Sequence, residues 1–233
     1  MADSVAVLSA GAAQGLIGAL ADTLRQQLDV VTTGRFGAVG AMQDAFRAGE
    51  PCDVFVSTQT MIEAMITSGE LSADGAGPIG KVSTGVAVPA GRPMPSVRAP
   101  EDFAGALSSA STLWVPDMFK STAGQHIARV LEALGLRQAL DSRIRMFANG
   151  ATAMKAMADS GDPHALGCTQ MSEILFTPGV QWVDALPREF ELATTYSAAV
   201  SGRASRADLA RAVVQQLRAH HHDELARRCG FER

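Results

Sequence analysis

Residues 5–20 read VAVLSAGAAQGLIGAL, and the fold follows from how this stretch changes character along its length. Residues 5–9 form a short apolar run suited to a strand. Ser9-Ala10-Gly11-Ala12-Ala13 then offers only small side chains, and Leu16, Ile17, Leu20, Leu24 and Leu28 recur at the spacing of one helix face. A strand that turns through small residues into a helix packed back on the sheet is the repeating unit of an α/β layer.

The alternation continues outward from there. Residues 30–33 predict a second strand, Gly34-Arg35-Phe36-Gly37 a loop, and Val39, Met42 and Phe46 the apolar stripe of a helix. Residues 53–57, DVFVS, are apolar after the first position, as in a strand covered on both faces. Met61, Ile62, Met65 and Ile66 supply its covering helix. The glycine-rich segment 75–80 breaks the pattern, a strand follows over 81–89, and GRPMPS makes a turn.

A second series then predicts strands at 112–115, 144–147 and 166–169, with helices starting at Ser121 and Ala151. Ile127, Val130, Leu131 and Leu134 line one face of the first of these helices, and 180–183 adds an edge strand. Residues 192–200 read as a strand returning the chain to its first lobe. Two helices close the sequence, one marked by Leu209, Val213, Val214 and Leu217, the other by Leu225. The expected architecture is α/β and two-lobed: residues 1–80 with 195–233 in one lobe, 81–194 in the other, and a ligand cleft between them.

Composition narrows the function classes. The 233 residues are 47% hydrophobic, enough for a sizeable core, and the net charge is −4. Lys81, Lys120 and Lys155 are the only lysines, and no basic stripe carries stacking aromatics, so a nucleic-acid partner is not expected. Cys52, Cys168 and Cys229 are odd in number and far apart, which fits neither a disulfide framework nor a zinc knuckle. No run of about eighteen apolar residues is present to cross a bilayer. The opening MADSVAVLSAGAAQG lacks a basic leader, so a cytoplasmic protein is expected; the alternative is a periplasmic one in which Met1 replaces a removed leader.

Three segments place small residues between a strand end and a helix start: 9–13, 34–38 and 121–124. Free amides at helix starts favour anions, and crevices at strand carboxyl ends are where open α/β sheets hold ligands. The expected ligand is therefore a small anion, with Ser9, Gly11, Ala12, Phe36, Gly37, Ser121 and Thr122 lining its site. Arg35 is either a guanidinium that grips a carboxylate through two parallel bonds or a solvated surface charge. Lys120 is a second candidate cation. Asn149 is a helix cap or a ligand donor, Gln170 and Ser172 are candidate donors, and the Tyr196 hydroxyl either closes over the ligand or packs at the return strand. His126 and Glu173 are the candidate acid–base groups; an ionised Glu173 would repel an anion, whereas burial would raise its pKa. His220-His221-His222 reads as a solvated cluster. No GxGxxG, Walker, HExxH or nucleophile-elbow motif occurs, and neither a metal nor a cofactor is expected.

VAVLSAGAAQG at 5–15, AFRAGEPCDVFVS at 45–57, VSTGVAVPAG at 82–91 and QMSEILFTPGVQWVDALP at 170–187 together resemble the type II periplasmic-binding-protein superfamily, in its molybdate-binding-protein-like branch. The resemblance spans nearly the whole chain. It implies a hinged receptor, with an importer as partner if a leader has been removed. In this branch, serine hydroxyls and backbone amides of the first two loops commonly hold the oxyanion. Here Ala12 stands near the first serine position, Gly37-Ala38-Val39 fill the second stretch, and Arg35 adds charge. That departure implies a carboxylate metabolite rather than molybdate or tungstate. The resemblance also extends to isomerases of unsaturated polycarboxylates, trans/cis-aconitate exchange among them. The alternative it implies is a cofactor-independent isomerase in which Arg35 and Lys120 anchor carboxylates and His126 or Glu173 moves the proton.

Overall fold

The computed structural model describes residues 2–233. Strand β1 (Asp3–Ala10) leads through the 3-10 turn Gly11–Ala13 into α1 (Gln14–Ala19) and α2 (Ala21–Leu28), followed by β2 (Val30–Gly37), α3 (Val39–Arg47), β3 (Val54–Thr58), α4 (Gln59–Thr67) and β4 (Gly77–Pro89). Then come α5 (Pro100–Ser109), β5 (Leu113–Pro116), α6 (Thr122–Ala133), α7 (Arg137–Leu140), β6 (Ile144–Phe147), α8 (Gly150–Asp159), β7 (Leu166–Gln170), α9 (Met171–Phe176) and β8 (Val180–Ala185). The chain ends with β9 (Ala193–Val200), α10 (Ala207–Arg218) and α11 (Asp223–Arg228). Contacts divide it into two compact units, Met1–Val82 with Thr194–Arg233, and Ser83–Ala193.

In the first unit β1 is central, parallel to β2 on one side and β3 on the other, and β3 pairs antiparallel with β9. Leu8, Phe46, Phe55 and Met65 form the core between this sheet and α3 and α4. Burying one such side chain stabilises the fold by about 1.5–3 kcal/mol. Asp53, just before β3, is buried and tied in. Its carboxylate accepts from the Ala6 amide at 2.9 Å and from the Ser205 amide at 2.9 Å, joining β1 to the segment that enters α10.

One local expectation is corrected here. The residues read as a loop, 34–37, continue β2, with Leu8 opposite Arg35, Ser9 opposite Phe36 and Ala10 opposite Gly37. Gly34 stands opposite Val7 at a φ of 153°, and a Cβ there would fall 1.8 Å from the Val7 carbonyl oxygen. The glycine lets two backbones pass closely; it does not turn the chain.

In the second unit β5 runs parallel to β6 and β7, and β4 pairs antiparallel with β7 and β8. Val86, Phe103, Leu107, Val115, Ile127 and Leu131 make the main core. Helix α5 had no place in the sequence reading. Its start carries Pro100, Glu101 and Asp102, a first-turn signature that favours helix initiation through a preset φ and the macrodipole.

Candidate functional site

In the first unit the pairing register decides which side chains meet. Cross-strand partners share a face of the sheet and alternate along each strand. Leu8, Phe55 and Ala199 face the core under α3 and α4, and two residues further along lie Ala10, Ser57 and Ser197. Gly37 is the register partner of Ala10, and Ser57 is that of Ser197, so these four small residues form one row where the parallel strands end. Ser57 and Ser197 are 0% and 2% exposed, and neither hydroxyl has a hydrogen-bond partner. The chain enters α3 directly after Gly37, with Ala38 at the N-cap and no side chain capping the helix.

The expected residues of this unit fall around that row. Gly11 and Ala12 are buried in the turn after β1, and the Ser9 hydroxyl donates to the Ala10 carbonyl at 2.9 Å. Phe36 is partly buried on β2. Tyr196 is buried beside this edge, opposite Thr58 and edge-on to the Phe231 ring with centroids 6.2 Å apart. Arg35 lies two residues before the row, and its guanidinium pairs with Glu50 at 2.7 Å on the exposed surface.

In the second unit three helix starts adjoin because β5 lies between β6 and β7. After β5, the Asp117 carboxylate accepts from the Phe119 and Lys120 amides at 2.7 and 2.9 Å, shaping the approach to α6. Ser121 is the α6 N-cap and accepts from the Gly124 amide at 3.4 Å; Thr122 opens the helix. After β6, the Asn149 side chain accepts from the Thr152 amide at 2.8 Å, so it serves as the cap of α8. After β7 come Gln170 and Ser172. Gln170 stands opposite Thr84, and the Thr84 and Ser172 hydroxyls are both buried without a hydrogen-bond partner.

The two candidate acid–base groups of this unit are both engaged. His126 Nε2 lies 2.7 Å from the Phe190 carbonyl oxygen. The Glu173 carboxylate accepts from the Thr169 hydroxyl at 2.6 Å and from the Gly150 amide at 3.1 Å. Burial pushes its pKa up, and these donors with the Ala151 and Gln170 amides pull against that shift. Among the described residues no group of three or more His, Cys, Asp or Glu side chains is placed to hold a metal ion.

Ser57, Ser197 and Thr84 were absent from the sequence reading. Their signal is a hydroxyl inside an otherwise apolar strand, as at the end of DVFVS, and it gains meaning once the register shows what each one faces.

Residues 5–232 match the family model described as bacterial extracellular solute-binding protein. The chain belongs to this family. As a solute-binding protein it shares its fold with the periplasmic molybdate-binding protein of Azotobacter vinelandii, with a TM-score of 0.80 at 15% identity over 98% of this chain and 99% of that one. It is also similar to the sulfate-binding protein SubI of Mycobacterium tuberculosis H37Rv, with a TM-score of 0.74 at 17% identity over 98% of this chain and 86% of the other. An aconitate isomerase from a Pseudomonas species is 26% identical over 220 residues, covering 92% of this solute-binding protein and 82% of the relative. The fold and family resemblance read from the four sequence segments therefore holds. No helix among the described residues is long and apolar enough to cross a membrane.

Proposed function

We propose that the chain binds a small carboxylate-bearing anion at the carboxyl ends of its parallel strands. One observation carries this reading. The buried hydroxyls of Ser57 and Ser197 in the first unit, and of Thr84 and Ser172 in the second, lack partners; Ser57 is the penultimate residue of β3 with Ser197 opposite it on β9, and Ser172 stands in the first turn of α9, two residues after Gln170, the partner of Thr84. A buried polar group left unpaired costs about 1–3 kcal/mol, and native proteins keep such groups where a ligand or ordered water completes them. Donors that are neutral hydroxyls and helix-start amides select an acceptor-rich anion without holding a full counter-charge in the core. The family description, and the molybdate and sulfate named for two of the similar structures, support a small anion as solute. The lack of hydroxyls at Ala12, Gly37 and Ala38 favours a carboxylate over a tetrahedral metal oxyanion.

A second reading is favoured by the aconitate isomerase relative: the bound ligand is an unsaturated di- or tricarboxylate whose double bond migrates by proton transfer. In that reading Arg35 and Lys120 anchor carboxylates, and His126 or Glu173 carries the proton.

Thermal unfolding with trans-aconitate, cis-aconitate, citrate, sulfate and molybdate tests both. A ligand that binds only the native state raises the midpoint with its concentration. Stabilisation by the carboxylates supports the first reading, and stabilisation by molybdate or sulfate alone removes the carboxylate preference. Proton NMR of a trans-aconitate mixture separates binding from catalysis, because appearance of the cis isomer requires turnover.

A further inference from the structure

We propose that Ser57 and Ser197 form a paired hydroxyl clamp that holds one carboxylate group of the ligand against the start of α3. This rests on the carboxylate-binding reading and names the seat for it. The two serines are direct partners across the antiparallel β3–β9 pair, so their side chains rise side by side from one face of the sheet. Both are at least nine-tenths buried, and their hydroxyls bond neither to each other nor to any other group. Each brings one O–H donor. A planar carboxylate has two oxygens with which to meet two adjacent donors.

The surroundings fit the same ligand group. Gly37 and Ala10 extend the serine row without adding bulk, and a Cβ at Gly37 would press to 2.7 Å from the Met42 methyl of α3. Met42 of α3 thus lies over the Gly37 end of this row. Its nine residues begin at Val39 with no capping side chain, leaving first-turn amides and the positive end of the dipole to an anion. In α8 the comparable amides are taken by Asn149 and Glu173. Arg35 is directed at Glu50, so the clamp works through neutral donors.

The test is calorimetric titration of trans-aconitate and of molybdate into the wild-type chain, Ser57→Ala, Ser197→Ala and the double variant, with unfolding midpoints measured without ligand. The expected result is trans-aconitate binding that weakens about tenfold for each hydroxyl removed, as for hydrogen bonds to a charged group. The ligand-free midpoints should stay level or rise, because an unpaired buried donor has been deleted. Unchanged trans-aconitate affinity in the double variant overturns the clamp while leaving the proposed function standing. A fall in the ligand-free midpoint with affinity intact overturns it too, by giving the hydroxyls a structural role. If the wild-type chain binds molybdate and not trans-aconitate, or neither, the clamp and the carboxylate reading fail together.

Discussion

The Glu173 carboxylate accepts the Gly150 amide at 3.1 Å, so a buried acid of α9 closes the first turn of α8. Burial holds this carboxyl above its ordinary value. The folded chain therefore binds the proton more tightly than the unfolded chain does. The resulting stability is fully present below the unfolded carboxylate value of about 4.3 and is lost as the pH rises through the folded value. Urea unfolding across that range should show a steeper loss of stability in the wild type than in Glu173→Gln, which has nothing to titrate there. Equal slopes would mean that the acid is as well solvated folded as unfolded.

Gly150 is fixed by the same contact. A Cβ at this position would lie 2.0 Å from Glu173 Oε2 and 2.0 Å from Thr169 Oγ1, and those two atoms are bonded to each other. Neither can retreat without breaking a buried hydrogen bond. Gly150→Ala should destabilise by about 2–3 kcal/mol, against the small gain usual for Gly→Ala in a helix. A lower urea midpoint with an unchanged slope is the expected signature.

These contacts mark where the sequence stops being legible. The run 54–56 and the helical stripe Ile127, Val130, Leu131 are visible in one dimension, the first because a strand covered on both faces is apolar throughout and the second because burial of one helix face imposes a period of 3.6. Gly34 misled because glycine permits both a turn and a close approach, and only the Val7 partner tells them apart. Glu173 is ambiguous for a similar reason: four residues of spacing place it near Thr169, but its burial and the Gly150 amide come from α8 packing beside β7 and α9. Lys120, Ser121 and Ser172 stand out as candidates in one dimension because they follow strands. Ser57 and Ser197 were missed because they lie within strands, and pairing across 140 positions is set by register and not by any local pattern.

Cysteine reactivity should divide along burial. Desolvation pushes the Cys52 and Cys168 thiols up to about 12, with the Cys52 thiol also donating to the Val54 carbonyl. Thiolates are the reactive form, so both should resist alkylation in the native protein at pH 8. Cys229 is only half-buried and should be modified first. Mass spectrometry after timed iodoacetamide treatment, with and without urea, resolves the three sites; rapid native labelling of Cys168 would contradict the packing of β7.

Arg35 and Glu50 supply the test of charge at the proposed site. Their ion pair is short at 2.7 Å, but the side chains are 52% and 37% exposed, so breaking it should barely move the unfolding midpoint. Its effect belongs to binding. If Arg35 attracts the ligand carboxylate, Glu50 competes for the same guanidinium. Arg35→Ala should then weaken trans-aconitate binding, and Glu50→Gln should strengthen it by releasing the cation. Both shifts should shrink as NaCl rises from 20 to about 300 mM, because the screening length contracts toward the span of the interaction. Calorimetry at the two salt concentrations decides the matter. If neither substitution changes the affinity, the guanidinium does no more than solvate the surface of β2, and recognition rests on the hydroxyls and helix-start amides alone.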